Sequence, residues 1–300
     1  METEFGYSKL KVFCPHCGRK SFNLQTLDGE VISDTVGYCD HSNSCSYSYF
    51  AKEYFKQNPN LHKIEYHLKK VFEPKVPSFM EESLIQKYRS NESGIIKYLL
   101  TIFPTKAVYK VAEQYKLGSY NNGNVIFWQI DEQGRCRTGK IVSYGSDGHR
   151  NGYMNWMHTT LKLTDFNLVQ SLFGAHLLAL EPEKTVCLVE SAKSAIIGAI
   201  VNPNYLWLST EGATNWRMEK LLPLRHRKVI VYPDLWKNPP KGKCDWHKLV
   251  DLLMSIGAKA SYCDILEQIS TQEQRDGGYD LADFILNEFK KNENSDEGDM

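Results

Sequence analysis

The chain carries no surplus of charge: 36 lysines and arginines meet 36 aspartates and glutamates, for a formal net charge of zero. A whole-molecule field that gathers nucleic acid is thereby excluded, and any such contact must rest on local patches. No apolar run approaches the roughly 20 residues of a membrane span. The N-terminus, Met1-Glu-Thr-Glu-Phe-Gly-Tyr7, is acidic and lacks the apolar stretch of a secretory signal. There is no Walker motif, no nucleophile elbow, and no Ser/His/Asp or Cys/His arrangement. Gly277-Gly278 reads as a turn, with no phosphate-loop signature. P-loop and serine- or cysteine-hydrolase chemistry have no footing here.

What is present begins with cysteine. Of eight cysteines, four cluster: Cys14 and Cys17 in Cys-Pro-His-Cys-Gly, then Cys39 and Cys45 in Cys-Asp-His-Ser-Asn-Ser-Cys. Two thiolate-bearing turns can close a tetrahedron around one Zn²⁺, and the Gly after the first pair lets its turn curl around the ion. Four thiolates complete the ligand shell, so His16 and His41 are expected outside it. Cys136, Cys187, Cys244 and Cys263 are scattered, as in a chain of reduced thiols in a cytosol, which places the protein in the cytoplasm.

Residues 1–50 read as a zinc ribbon, with β-prone runs at Ser21–Leu27 and Glu30–Val36 around a turn at Asp28-Gly29. Residues 51–80 read as a linker carrying Pro59, Pro74 and Pro77 among lysines. Ser78, with Glu81 three residues later, is a capping box for the next helix. Residues 81–182 form an α+β middle domain. Its strands at Asn124–Ile130 and Thr138–Tyr144 make a hairpin, along which Arg135, Arg137, Lys140 and Arg150 lie with Trp128, Tyr144, Tyr153 and Trp156. Basic residues interleaved with rings suit a single nucleic-acid strand; the alternative is a solvated strand face with its rings in the core.

From Lys184 strands and helices alternate. Thr185-Val-Cys-Leu-Val189 is apolar throughout, as in a parallel strand buried on both faces. Further strands follow at Asn204–Ser209, Lys228–Tyr232 and Lys259–Asp264, with helices between them and a last helix at Tyr279–Leu286. Residues 183–290 are thus an α/β unit with a parallel sheet, and the polar tail at 291–300 is expected to be disordered.

In such sheets ligands bind beyond the carboxyl ends of the strands. Glu190, Asp234 and Asp264 each follow a strand. Acids gathered at one sheet edge repel unless a cation joins them, and Mg²⁺ suits hard oxygen ligands. Lys193, in the first turn after Glu190, is placed to meet a phosphate; the alternative is a solvated lysine.

Val189-Glu190-Ser-Ala-Lys-Ser-Ala-Ile196 followed by Val231-Tyr-Pro-Asp234 resembles the toprim domain of DnaG-type primases, topoisomerases and some nucleases. The order of zinc ribbon, a middle segment with Asn124–Asp131 and Arg137-Thr-Gly-Lys140, then the Glu190 motif, resembles the primase-like proteins of mobile elements across nearly the whole chain. The resemblance implies that Glu190 and Asp234 hold catalytic Mg²⁺ or Mn²⁺, and that a nucleotide binds near Lys193 and Asp264. Single-stranded DNA is the implied template, with a helicase or another replication or mobilisation protein as partner. Two departures stand out: Ser191 replaces the Gly that often follows the glutamate, and Trp236 replaces the second aspartate of the Asp-x-Asp pair. Asp245 and Asp264 are the candidates to compensate. Three activities remain open: primer synthesis, catalytically inactive DNA binding as an accessory protein, and strand cleavage by a toprim-type nuclease.

Overall fold

A computed structural model of the chain describes residues 5–27, 29–41, 44–58, 76–121, 123–212, 216–235 and 246–296. It divides into two compact units, Met1–Pro74 and Lys75–Met300. The turn residue Asp28, most of the linker from Pro59 to Lys75, Trp236, Cys244 and Asp245 lie outside the described residues.

The first unit is a small antiparallel ribbon. β1 (Phe5–Tyr7), β2 (Val12–Phe13), β4 (Glu30–Val31) and β5 (Gly37–Cys39) all pair with β3 (Lys20–Leu27), and β6 (Ser48–Tyr49) pairs with β5. α1 (Ala51–Gln57) follows. Alternation along β3 puts Phe22 and Leu24 inside, against Cys14 and Cys39. The run expected to be strand through Val36 stops at Val31, and a turn at residues 33–36 leads into β5.

The second unit opens with α2 (Glu82–Tyr88), α3 (Gly94–Leu99) and α4 (Thr105–Gln114). Ser78 does not cap α2, as its sequence position suggests. Its hydroxyl accepts from the Asn167 N–H at 2.9 Å, and Glu81 occupies the cap position instead. An antiparallel sheet follows, ordered β10-β9-β8-β7: β7 (Gly118–Tyr120), β8 (Asn124–Ile130), β9 (Cys136–Tyr144) and β10 (Arg150–Trp156). The short α5 (Met157–Thr160) closes this part. Ile126, Trp128, Ile130 and Ile141 face one core with Met80 and Ile85, while Val125, Phe127 and Val142 face a second.

That second core is shared with the α/β part. β11 (Val186–Val189), α6 (Ala192–Val201), β12 (Leu206–Ser209), α7 (Met218–Leu221), β13 (Lys228–Val231), α8 (Trp246–Ser255) and β14 (Lys259–Tyr262) build a fully parallel sheet ordered β12-β11-β13-β14. α9 (Ile265–Ile269), α10 (Gln272–Asp276) and α11 (Leu281–Asp296) complete the chain. Gly198 on α6 allows the helix to press on Trp207 of β12; a Cβ there would sit 2.4 Å from the indole. One core runs from Ile95 to Leu286, so the middle and α/β parts, expected as separate domains, are packed as one body. α11 continues to Asp296, past residue 291 where the sequence suggests disorder. Among the described residues no helix is long and apolar enough to cross a membrane.

Two polar groups pin this body from within. Arg227 donates to the carbonyls of Leu178, Glu181 and Lys184 at 2.7–3.0 Å. His176 is 8% exposed, and its Nε2 lies 3.1 Å from the Gln114 carbonyl, to which a neutral ring donates. Burial pulls the His176 pKa down to about 4. The unfolded chain therefore binds a proton near pH 6.5 that the folded chain refuses until about pH 4. Folding free energy should fall as pH drops through that window, by up to about 3 kcal/mol. Denaturant unfolding at stepped pH should show the fall in wild type and a shallower one in His176→Gln, which keeps a donor for the Gln114 carbonyl without the titrating ring.

Candidate metal centres

The four clustered cysteines meet. Their sulfurs all lie within 4.8 Å of one another, and no other group of three or more His, Cys, Asp or Glu among the described residues satisfies that condition. Cys14 and Cys45 Sγ are 3.7 Å apart, and Cys17 and Cys39 Sγ 3.8 Å. A tetrahedron with Zn–S bonds of about 2.3 Å has edges of about 3.8 Å, so these spacings fit the ion without rearrangement. Cys14 closes its turn by accepting from the Gly18 N–H at 2.9 Å, and Gly18 adopts φ +67°, which explains the glycine after the first pair.

The second site lies at the carboxyl edge of the parallel sheet. The chain leaves β11 to form β12 on one side and returns to form β13 on the other, so the strand order reverses at β11 and opens a crevice there. Leu188 faces Val231 across β11 and β13, and Glu190 and Asp234 leave these adjacent strand tips. Their carboxyls come within hydrogen-bonding reach of each other. Burial raises the Glu190 pKa against the opposing pull of the Asp234 contact and the Arg150 guanidinium. Burial, then the charges of Asp280 and Glu190, push Asp234 well above the usual carboxylate range. No donor among the described residues reaches the buried Glu190 Oε2. Two carboxyls in contact must share a proton or a cation. An orphaned carboxylate oxygen beside a second acid fits Mg²⁺, which commonly binds through only one or two carboxylates and keeps waters for phosphate to replace.

Two further acids reach this edge that the strand-end reasoning missed. Asp280 and Asp283 form reciprocal bonds at the start of α11: the Asp283 N–H donates to Asp280 Oδ1 at 2.9 Å and the Asp280 N–H to Asp283 Oδ2 at 3.1 Å. The Leu235 N–H donates to the Tyr279 carbonyl at 2.9 Å, which draws this cap beside Asp234. Ser194 Oγ donates to Asp280 Oδ2 at 2.9 Å, and Lys193 Nζ bonds Asp283 Oδ1 at 3.2 Å. Burial opposes the Lys193 charge, but Asp280 and Asp283 outweigh it and raise its pKa. The available signal was Asp280-Leu-Ala-Asp283 itself, which reads as a helix cap and is one. Asp264 is exposed at the start of α9, beyond the edge strand β14, whereas Glu190 and Asp234 flank the inner strands.

The basic residues of β9 and β10 do not gather on one face. Arg135 and Arg137 both bind the buried Asp131 Oδ2 at 2.9 Å and lie over the Phe79 ring at 4.4 and 4.5 Å. Lys140 points from the same sheet into the α/β part and pairs with Glu211 Oε2 at 2.9 Å, leaving the carboxylate side chain 1% exposed. Glu211 Oε1 also accepts from the Ala192 N–H and the Ser209 hydroxyl, each at 2.8 Å. Burial would raise the Glu211 pKa, but Lys140 overcomes it and holds the carboxylate charged. Nearby Lys220 is buried and donates to the Thr210 carbonyl, and burial pulls its pKa down to about 8. Arg150, unlike the exposed Arg135, is not tied to Asp131; it sits exposed beside the Tyr144 hydroxyl, close enough to influence Glu190 and Asp280.

Residues 3–60 match a family model described as a zinc beta-ribbon finger, and residues 93–235 match a domain of unknown function, DUF6371. No curated protein matches the chain. Among solved structures, the chain is similar to the zinc-binding and RNA polymerase domains of Aquifex aeolicus primase, at 16% identity and TM-score 0.38 over 64% of this chain; it spans 48% of that chain. The E. coli primase catalytic core gives 13% identity and TM-score 0.42, covering 70% of this chain and 81% of that one. The primase fragment of the bacteriophage T7 primase-helicase gives 12% and 0.35, covering 88% and 100%. The N-terminal match and the cysteine geometry agree that the first unit is a zinc β-ribbon, joined to a mixed α/β body built on a parallel sheet.

Proposed function

We propose that the protein is a primase-like nucleotidyltransferase that binds single-stranded DNA and extends a primer at the Glu190–Asp234 edge, with Mg²⁺ or Mn²⁺. One observation carries the reading: Glu190 and Asp234 leave neighbouring strand tips at the reversal point of the sheet, with a buried Glu190 oxygen that no donor satisfies. When bound, the ion would neutralise charge that builds on a transferring phosphoryl group. Glu190 and Asp234 hold it. Asp280 and Asp283 deepen the negative field while their caps and Lys193 keep them in place. Arg150, exposed at the rim, is the side chain here best placed to take a nucleotide phosphate.

Template contact is assigned to the ribbon. It presents Phe5 and Tyr7, 45% and 50% exposed, with Tyr38 edge-on to Tyr7 at 5.2 Å and the exposed Lys9 two residues further along the chain. Rings for bases and ammonium groups for phosphates suit a single strand. Arg135, Arg137 and Lys140 belong to the scaffold in this reading, because each is committed to a buried acid. Such an activity serves replication or transfer of a mobile element, beside a helicase or mobilisation protein, in the cytoplasm.

The test is template-directed synthesis by zinc-loaded protein on single-stranded DNA with Mg²⁺ or Mn²⁺. Wild type is expected to yield short products, and Glu190→Ala none, with single-strand binding within a few-fold of wild type. Absence of any metal-dependent product from wild type would leave the second reading, a DNA-holding accessory protein. That reading is favoured by one observation: no three carboxylate oxygens among the described residues converge as the four sulfurs do.

A further inference from the structure

We propose that His16 is a positioning residue of the zinc centre: its Nδ1–H donates to the Cys45 thiolate and so shields that ligand. This inference rests on zinc occupying the four-cysteine site. His16 Nδ1 lies 3.4 Å from Cys45 Sγ, within sulfur hydrogen-bond range. A zinc-bound thiolate has no proton to give, so in the loaded site the histidine must be the donor. The bond crosses the centre, since His16 belongs to the Cys14–Cys17 turn and Cys45 to the opposite knuckle. Its ring is held for the task. It lies nearly parallel to Tyr47, with centroids 6.0 Å apart and planes at 10°, and Tyr47 in turn packs on core residue Phe22 at 5.6 Å.

The four ligands are not equally protected. Cys14 and Cys39 are buried, whereas Cys17 and Cys45 are half-exposed. Cys39 has its own side-chain partner, Ser21 Oγ at 3.3 Å. Cys45 has His16. A hydrogen bond to a thiolate withdraws electron density from sulfur, which makes it a poorer target for protonation or oxidation and slows opening of the shell at the exposed rim. Groups that orient metal ligands in this way change metal affinity by about 10–100-fold when removed.

Two substitutions separate the hydrogen bond from the ring. His16→Phe keeps a flat ring on Tyr47 and deletes the donor. His16→Asn deletes the ring and can keep an N–H near the Nδ1 position. In the full-length zinc-loaded protein, competition with a colorimetric chelator should show zinc affinity falling about 10–100-fold in His16→Phe and staying close to wild type in His16→Asn. In the cobalt-substituted protein, the sulfur-to-metal charge-transfer band should move to lower energy in His16→Phe only. A His16→Phe protein with wild-type affinity and an unshifted band overturns the proposal, as does His16→Asn behaving like His16→Phe. Wild-type protein that retains no zinc would remove the zinc reading itself, a result distinct from either of these.

Discussion

Zinc withdrawal, by a strong chelator or by Cys39→Ser, is expected to unfold the N-terminal unit and leave the α/β body folded. The ribbon's own core is small. Among its described residues, the buried apolar side chains besides cysteine are few: Phe22 and Leu24 form the cluster, with Val12 and Tyr47 partly covered against them, and Val36 and Ala51 are buried as well. So little apolar surface does not offset the chain entropy of ordering more than 50 residues. In zinc-finger peptides the ion supplies about 10–16 kcal/mol of apparent binding energy at neutral pH, and that energy is folding energy. The α/β body has a separate and much larger core, from Ile95 to Leu286, and owes nothing to the ion. Limited proteolysis after chelation should therefore cut within residues 5–58 and spare the packed core of the α/β body. A ribbon that stays protease-resistant without metal would show that zinc is not its main support.

Lys140→Ala is expected to destabilise the α/β body strongly. It strands Glu211, whose side chain is 1% exposed, without its ion-pair partner. Breaking a buried pair on one side costs about 3–5 kcal/mol, because the remaining charge stays desolvated. Lys220 lies close enough to interact with Glu211 and should soften the loss toward the lower figure. The double change Lys140→Met with Glu211→Gln should recover most of it. A Gln at 211 can still accept from the Ala192 N–H and the Ser209 hydroxyl, with no charge left to compensate. Denaturant melts of the two singles and the double measure the coupling. If Lys140→Ala melts like wild type, Glu211 is not a buried anion. Because Glu211 binds the backbone of Ala192, two residues beyond Glu190, any surviving Lys140→Ala protein should also hold the Glu190 edge of the sheet more loosely.

How far these features were legible depends on the range of the interaction that creates them. The cysteine pairs announce themselves because a metal shell needs a fixed ligand count on short turns. The parallel strands do so because a strand buried on both faces, such as Val186–Val189, needs an unbroken apolar run. Glu190 and Asp234 follow from the rule that such strands present their carboxyl ends to ligands. Asp280 and Asp283 were hidden: their local pattern is satisfied by capping α11, and only the packing of α11 on α6 and the Leu235–Tyr279 bond bring them to the edge. Asp264 also follows a strand, but one at the edge of the sheet, away from the inner strands that carry Glu190 and Asp234. Arg135, Arg137 and Lys140 have the composition of a binding face, yet nothing local reveals that Asp131 and Glu211 are buried beneath them. Ser78 had every local mark of a helix cap and lost its hydroxyl to Asn167, 89 residues away.

The raised acids at the sheet edge carry a cost in stability. Glu190 and Asp234 are less stable as anions when folded than when unfolded, so without a cation they lower stability as pH rises past the ordinary carboxylate range. Asp234→Asn should therefore raise the melting temperature of the cation-free protein at neutral pH, the mark of a site arranged for a ligand at the expense of the scaffold. The direct measurement is Mn²⁺ binding, followed by electron paramagnetic resonance on zinc-loaded full-length protein at neutral pH. A bound ion is expected in wild type and in Asp264→Asn, and none in Glu190→Gln or Asp234→Asn. Unchanged Mn²⁺ binding in the latter two variants, or none in wild type, would contradict a cation site at Glu190 and Asp234.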